Sequence, residues 1–306
     1  MFVDTHVHLD HKRLLPNMRN IITKAQENNV DTMINAAIGF DSNYSMRTSL
    51  NDMEKFYYSV GIHPNRVGID YDVDASWDEG LYDLLLGKNQ HHKTKAIGET
   101  GLDFYRLSRI EETGELDANG KCNYERQHMW FEKQLKYAVQ SELPLILHIR
   151  NGEEEKLRTE YKIDGDITIP YTNAYEEAIE ILKNYVGKMP YDEKGVIHCF
   201  CSDVNNATKL IDMGFYIGIG GSITYDTIPE LKETVRRIPL DRIVLETDSP
   251  YVMPQNIPEE YKYSKKNNTP MSIPYIAQCV AELKDVNLEE VERVTTTNAK
   301  RLFRLV

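Results

Sequence analysis

At 306 residues with 41% hydrophobic content, the chain is long enough to bury a full core, and it fits one α/β barrel carrying insertions better than two ordinary domains. Its formal charge of −12, from 36 Lys plus Arg against 48 Asp plus Glu, excludes an extended basic groove, so strong binding of duplex nucleic acid is not expected. No apolar run of about 18 residues occurs, which excludes a long membrane-spanning helix.

Strand-like runs fall at 2–9, 32–38, 57–63, 95–102, 144–149, 195–200, 215–223 and 242–248. Helix-period stretches lie between them at 15–29, 41–54, 78–88, 126–141, 174–186, 203–213 and 228–237, and the tail from 272 to 304 supplies the last helices. Strand and helix alternating eight times predict a parallel sheet closed into a (β/α)8 TIM barrel. Gly and Pro are scattered singly, so no linker divides the chain, and a single domain over 1–306 is expected. Four cysteines, Cys122, Cys199, Cys201 and Cys279, lack disulfide or CxxC spacing. Residue 2 already enters a strand with no charged and apolar leader, so a cytoplasmic thiol protein is expected. Cys199 neighbours His198 on a strand and is therefore expected to pack between barrel and helix rather than to serve as a soft ligand.

The first strand reads VDTHVHLD, in which Asp4, His6 and His8 are spaced by two and should converge on one face. The same event recurs along the chain. Short β-branched runs end in metal-capable side chains at Glu99, His148, His198 and Asp248. A barrel gathers strand ends from distant parts of the sequence on one face, where such folds place their chemistry. Four imidazoles and two carboxylates exceed the needs of one four-coordinate ion, so two divalent metals are expected, bridged by the two oxygens of Glu99. His-rich ligation suits Zn2+, Mn2+, iron or cobalt, and the metal is left open among Mg2+, Mn2+ and Zn2+.

The motifs DTHVHLD (4–10), GIHP (61–64), IGETGLDFY (97–105), HIR (148–150), GVIHCF (195–200), LETDSPY (245–251) and TTTNAKRLF (295–303) resemble those of the TatD family of metal-dependent hydrolases, within the amidohydrolase-like barrels. The resemblance implies that His6, His8, Glu99 and Asp248 bind one metal, and Glu99, His148 and His198 the other. It also implies divalent-metal phosphodiesterase chemistry, with DNases of 3′ exonuclease character and other ester-bond activities in the family. The expected function is therefore a deoxyribonuclease acting on DNA ends or short oligonucleotides through a two-metal-activated hydroxide. The alternatives are hydrolysis of a carboxylic ester, amide or cyclic amide, and a non-catalytic scaffold. No membrane partner is expected, and a monomer is. Asn267 stands where the family commonly has Arg.

Among catalytic candidates, Asp248 can accept the proton of the attacking hydroxide or act as a plain ligand. His63 can touch a phosphate, protonate the leaving oxygen or simply cap the strand end. Arg150, two residues past His148, can clamp a phosphate or pair with a carboxylate. Glu246 and Asp103 can orient ligating imidazoles from behind. The run GIGGS at 218–222 lacks a phosphate-loop pattern, so close backbone approach is expected there. Insertions at 106–123 and 151–173 should stand on the catalytic face. The second carries six acidic side chains against three basic ones, which predicts a lid that selects small substrates.

Overall fold

The computed structural model describes residues 1–39, 42, 53–67, 92–107, 109, 115–152 and 171–305. Eight strands are present: β1 (Phe2–Val7), β2 (Val30–Asn35), β3 (Phe56–Val60), β4 (Thr94–Asp103), β5 (Leu145–Arg150), β6 (Gly195–His198), β7 (Phe215–Ile219) and β8 (Ile243–Leu245). They pair in sequence order, each parallel to the next. The two edges then meet. Val7 bridges to Ser249, the Asp248 amide donates to the His6 carbonyl at 2.9 Å, and the His8 amide donates to the Ser249 carbonyl at 2.8 Å. The result is the (β/α)8 barrel that the alternation predicts.

The described helices are α1 (Met18–Glu27), α2 (Ala118–Ser141), α3 (Ala174–Lys183), α4 (Val204–Asp212), α5 (Pro229–Arg237), α6 (Ile273–Lys284) and α7 (Leu288–Phe303). In α1, Met18, Ile21, Ile22 and Ala25 are buried, the spacing of one helical face. Side chains of Asp117, Asn173, Asp203 and Asn287 accept backbone N–H groups at the starts of α2, α3, α4 and α7, satisfying donors that the helix itself leaves free. No described helix is long and apolar enough to cross a membrane.

Two layers of core follow. Outside the barrel, strand residues such as Phe2, Val7, Leu145 and Leu147 pack against the helices, with Trp130, Phe131 and Leu135 of α2 fully buried. Inside it, Val3, Ile34, Ala96, Ile146, Val196, Tyr216 and Val244 meet Ala299, Leu302 and Phe303 of α7, which plugs the end where the strands begin. The opposite end is left for polar groups.

Two expectations need correction. A register shift between Asp4 and Val7 inserts a residue into β1, so alternation breaks and Val3, not Asp4, shares the interior with His6. Helix α2 begins at Ala118 rather than 126, so residues 118–123 of the expected first insertion are helix. Gly120 and the Asn residues around it weaken helix propensity there, but the Asp117 cap and burial of Gly120 outweigh it. The expected helices at 41–54 and 78–88 fall almost wholly outside the described residues, as does 153–170 of the second insertion.

Candidate metal centre

The barrel mouth gathers nine chemistry-bearing side chains from six strands and their ends: His6 and His8 of β1, His63 after β3, Glu99 and Asp103 of β4, His148 of β5, His198 of β6, and Glu246 and Asp248 after β8. Glu99 reaches the centre because the chain before it is bare. A Cβ on Gly98 would lie 2.5 Å from the Ile146 carbonyl oxygen and 2.8 Å from the Ile146 Cβ, so only glycine lets β4 press this closely on β5.

The carboxylate of Glu99, 2% exposed, divides the cluster. Its Oε2 lies 3.4 Å from the Nε2 atoms of both His6 and His8. Its Oε1 lies 3.4 Å from His198 Nε2, 3.6 Å from His148 Nδ1 and 3.7 Å from His63 Nε2. Asp248 Oδ1 completes the first half, 3.2 Å from His8 Nε2 and 3.8 Å from His6 Nε2. All six sequence-predicted ligands therefore lie together around Glu99, with His63 added on the Oε1 side and the His6 and His198 rings stacked at 3.7 Å between the two sides.

The outer ring nitrogens are held from behind. Asp103 Oδ2 lies 3.2 Å from His148 Nε2, Glu246 Oε1 lies 3.3 Å from His198 Nδ1, and the Ala36 carbonyl accepts from His8 Nδ1 at 3.0 Å. Such partners set the tautomer and leave the inner nitrogens free to act as ligands. Glu246 gets there through the glycines of β7, since a Cβ on Gly218 would lie 2.5 Å from Glu246 Oε2. The GIGGS run thus serves close approach, as expected. Asn65 was missed by sequence reasoning. It donates to Asp103 Oδ2 at 2.7 Å, and only its place in a Pro-led turn just after His63 signals it.

The donor set fits divalent cations. Glu99 Oε2 is buried with no hydrogen-bond partner, and two imidazole Nε2 atoms, of His6 and His8, face one another at 3.2 Å. Imidazole nitrogens and carboxylate oxygens converging in a buried pocket form a donor set that suits a cation. The clustered carboxylates also shift the titration of these groups, so that protons fill the cluster when no cation does. Burial opposes charge on His8, yet Asp248 and Glu99 push it up to about 10; burial likewise opposes charge on His148, and Asp103 and Glu99 push it up to about 9. Burial also opposes ionisation of Glu99, but His6, His63 and His148 hold its carboxyl well below the usual range.

His63 is different. Its Nδ1 accepts the Asn65 amide at 3.0 Å, capping the 3-10 turn Pro64–Arg66, so a proton on the neutral ring sits on Nε2 and faces Glu99. Burial and the neighbouring His148 lower it to about 3. Arg150 ends β5 with its guanidinium 3.9 Å from the centre of the Tyr105 ring. Asp4 stands apart from the cluster. It accepts from the His6 amide at 3.2 Å, the Thr247 amide at 3.1 Å and the Thr247 hydroxyl at 2.6 Å, stapling β1 to the end of β8. Cys199 also departs from expectation. The strand ends at His198, and Cys199 turns into the left-handed region (φ 45°), half-buried, with its amide donating to Glu246 Oε1.

A closed parallel barrel with a histidine and carboxylate cluster at the C-terminal ends of its strands is the arrangement of a metal-dependent hydrolase. The chain belongs to the TatD family: the family described as TatD related DNase matches residues 3–304. It is 29% identical to the uncharacterized metal-dependent hydrolase YabD of Bacillus subtilis, covering 100% of both chains. It is 26% identical to the 3'-5' ssDNA/RNA exonuclease TatD of Pantoea ananatis, covering 99% of both. Its fold is that of YJJV, a TatD homolog from Escherichia coli K12, with a TM-score of 0.78 at 22% identity over 100% of this chain and 98% of that one.

Proposed function

We propose that the protein is a divalent-metal phosphodiesterase that removes nucleotides from DNA ends or cleaves short single-stranded oligonucleotides. The observation that carries the reading is the division of the cluster by Glu99, whose Oε2 faces His6 and His8 while its Oε1 faces His148, His198 and His63, so that one carboxylate could serve two ions. In it, His6, His8, Glu99 and Asp248 would hold one ion, and Glu99, His148 and His198 the other. Bound ions supply Lewis acidity, lowering the pKa of water and offsetting charge on the phosphate. The similarity to the Pantoea exonuclease over nearly the full length supports a nucleic-acid substrate.

The side chains then take distinct parts. Asp248 is 16% exposed where Glu99 is 2% exposed, so it is the carboxylate that an attacking water can reach, and its Oδ2 accepts the proton. His63 holds its proton at Nε2 and stays neutral down to about pH 3. A neutral imidazole is a hydrogen-bond donor and a poor acid, so His63 contacts a phosphate oxygen rather than protonating the leaving group. Arg150, stacked on Tyr105, offers its planar fork to a second oxygen.

Metal analysis of the purified protein, followed by single-stranded, nicked and duplex DNA assayed beside carboxylic esters and cyclic amides with Mg2+ and Mn2+, tests this. Release of nucleotides from single-stranded ends with two ions per chain is expected. Turnover of esters or amides alone would replace the nuclease reading with the second hydrolytic one.

A further inference from the structure

We propose that Tyr251 is a base-stacking platform for the nucleotide that flanks the scissile phosphate on the β8–β1 side of the mouth, with Arg13 serving the adjoining phosphate. This rests on the nuclease reading and adds the feature of the substrate that is recognised. Tyr251 leaves 43% of its surface exposed, so part of its ring is open to a ligand at the mouth. It is nonetheless held in place. Its amide donates to the Asp248 carbonyl at 2.8 Å, and the loop is pinned by buried Asn268, whose amide group donates to the carbonyls of Thr247 at 2.8 Å and Val252 at 3.1 Å.

The ring stands at the edge of the metal centre, 6.3 Å from the His8 ring at 73°, with His11 at 5.4 Å and 68° on the β1 side. The Arg13 guanidinium lies 5.5 Å over it. A rigid aromatic beside an arginine suits a unit that alternates flat bases with phosphates, as single strands do. The strand order places β4 and β5 across the barrel from β8 and β1, so the stacked Arg150 and Tyr105 stand on the opposite side. A substrate strand thus crosses the metal centre between two arginine and tyrosine pairs.

The test compares kcat/KM of the full-length protein with Mn2+ on three single-stranded octamers: one intact, one abasic at the last residue and one abasic at the penultimate residue. For the wild type, one of the abasic oligomers should be poorer than the intact one by on the order of 10–100-fold. Tyr251→Ala should bring that ratio toward one, and Tyr251→Trp should restore it. A wild-type ratio of one at both positions, or a Tyr251→Ala loss shared equally by all three oligomers, overturns the platform and leaves the nuclease reading standing. Failure of the wild type to cut any of the three removes both.

Discussion

At the scale of single residues, Glu99 is the side chain whose loss should spread furthest, because each of its oxygens serves a different half of the cluster. Glu99→Ala is expected to lower the content of both metals, while His198→Ala empties mainly one site. Glu246→Gln, which alters only the support behind His198, should weaken metal binding roughly 10–100-fold, and Glu99→Ala should exceed that in lost turnover. Metal analysis of the three variants at matched protein concentration checks the order, and a Glu99→Ala protein that keeps two ions contradicts the bridge. Protons give a second readout. His8 and His148, raised to about 10 and about 9, both carry protons at pH 7 when no cation competes. Ligands must be deprotonated, so loading at pH 7 should release about two protons per chain. Lowering the pH below 9 therefore weakens binding, and raising it toward 9 strengthens it. Calorimetry of Zn2+ binding in buffers of different ionisation enthalpy measures the number, and a release of zero would exclude the pairing described.

At the scale of elements, the bulge in β1 decides which side chains enter the barrel and frees Asp4 for a different task. Burial pushes the Asp4 carboxyl up to about 7 against the pull of Thr247 and His6, and its acceptors satisfy two buried amides at the β1–β8 seam. Asp4→Ala leaves those donors unpaired and should cost about 2–4 kcal/mol, read as a lower urea midpoint with unchanged slope. The same variant at saturating metal should still bind two ions, since Asp4 is a staple and not a ligand. A lower ion count at saturation would return Asp4 to the donor set.

At the scale of the whole molecule, a net charge of −12 surrounds a site proposed to act on a polyanion. Attraction is then confined to the metals and a few cations such as Arg13 and Arg150, so few counterions are displaced on binding. The logarithm of affinity for a single-stranded oligomer should fall with the logarithm of salt with a slope of only about −1 to −3. Covalently closed duplex should survive conditions that consume single-stranded ends. A steep slope, or rapid cutting of closed duplex, would require a basic track outside the described residues.

The strand runs, most of the described helices and the six side chains that meet around Glu99 were legible in the sequence, because hydrophobic period and residue chemistry are local properties. The spacing HxH and the strand-end positions of His148, His198 and Asp248 carried the site. Parity along β1 was not legible, since a one-residue bulge leaves no mark in composition yet turns Asp4 from the histidines to Thr247. Nor was the role of His63, which depends on a tautomer set by the Asn65 amide. Which oxygen of Glu99 faces which histidine, and that Tyr251 stands beside His8, follow from barrel closure. They join residues far apart along the chain, and only the tertiary structure decides such distances.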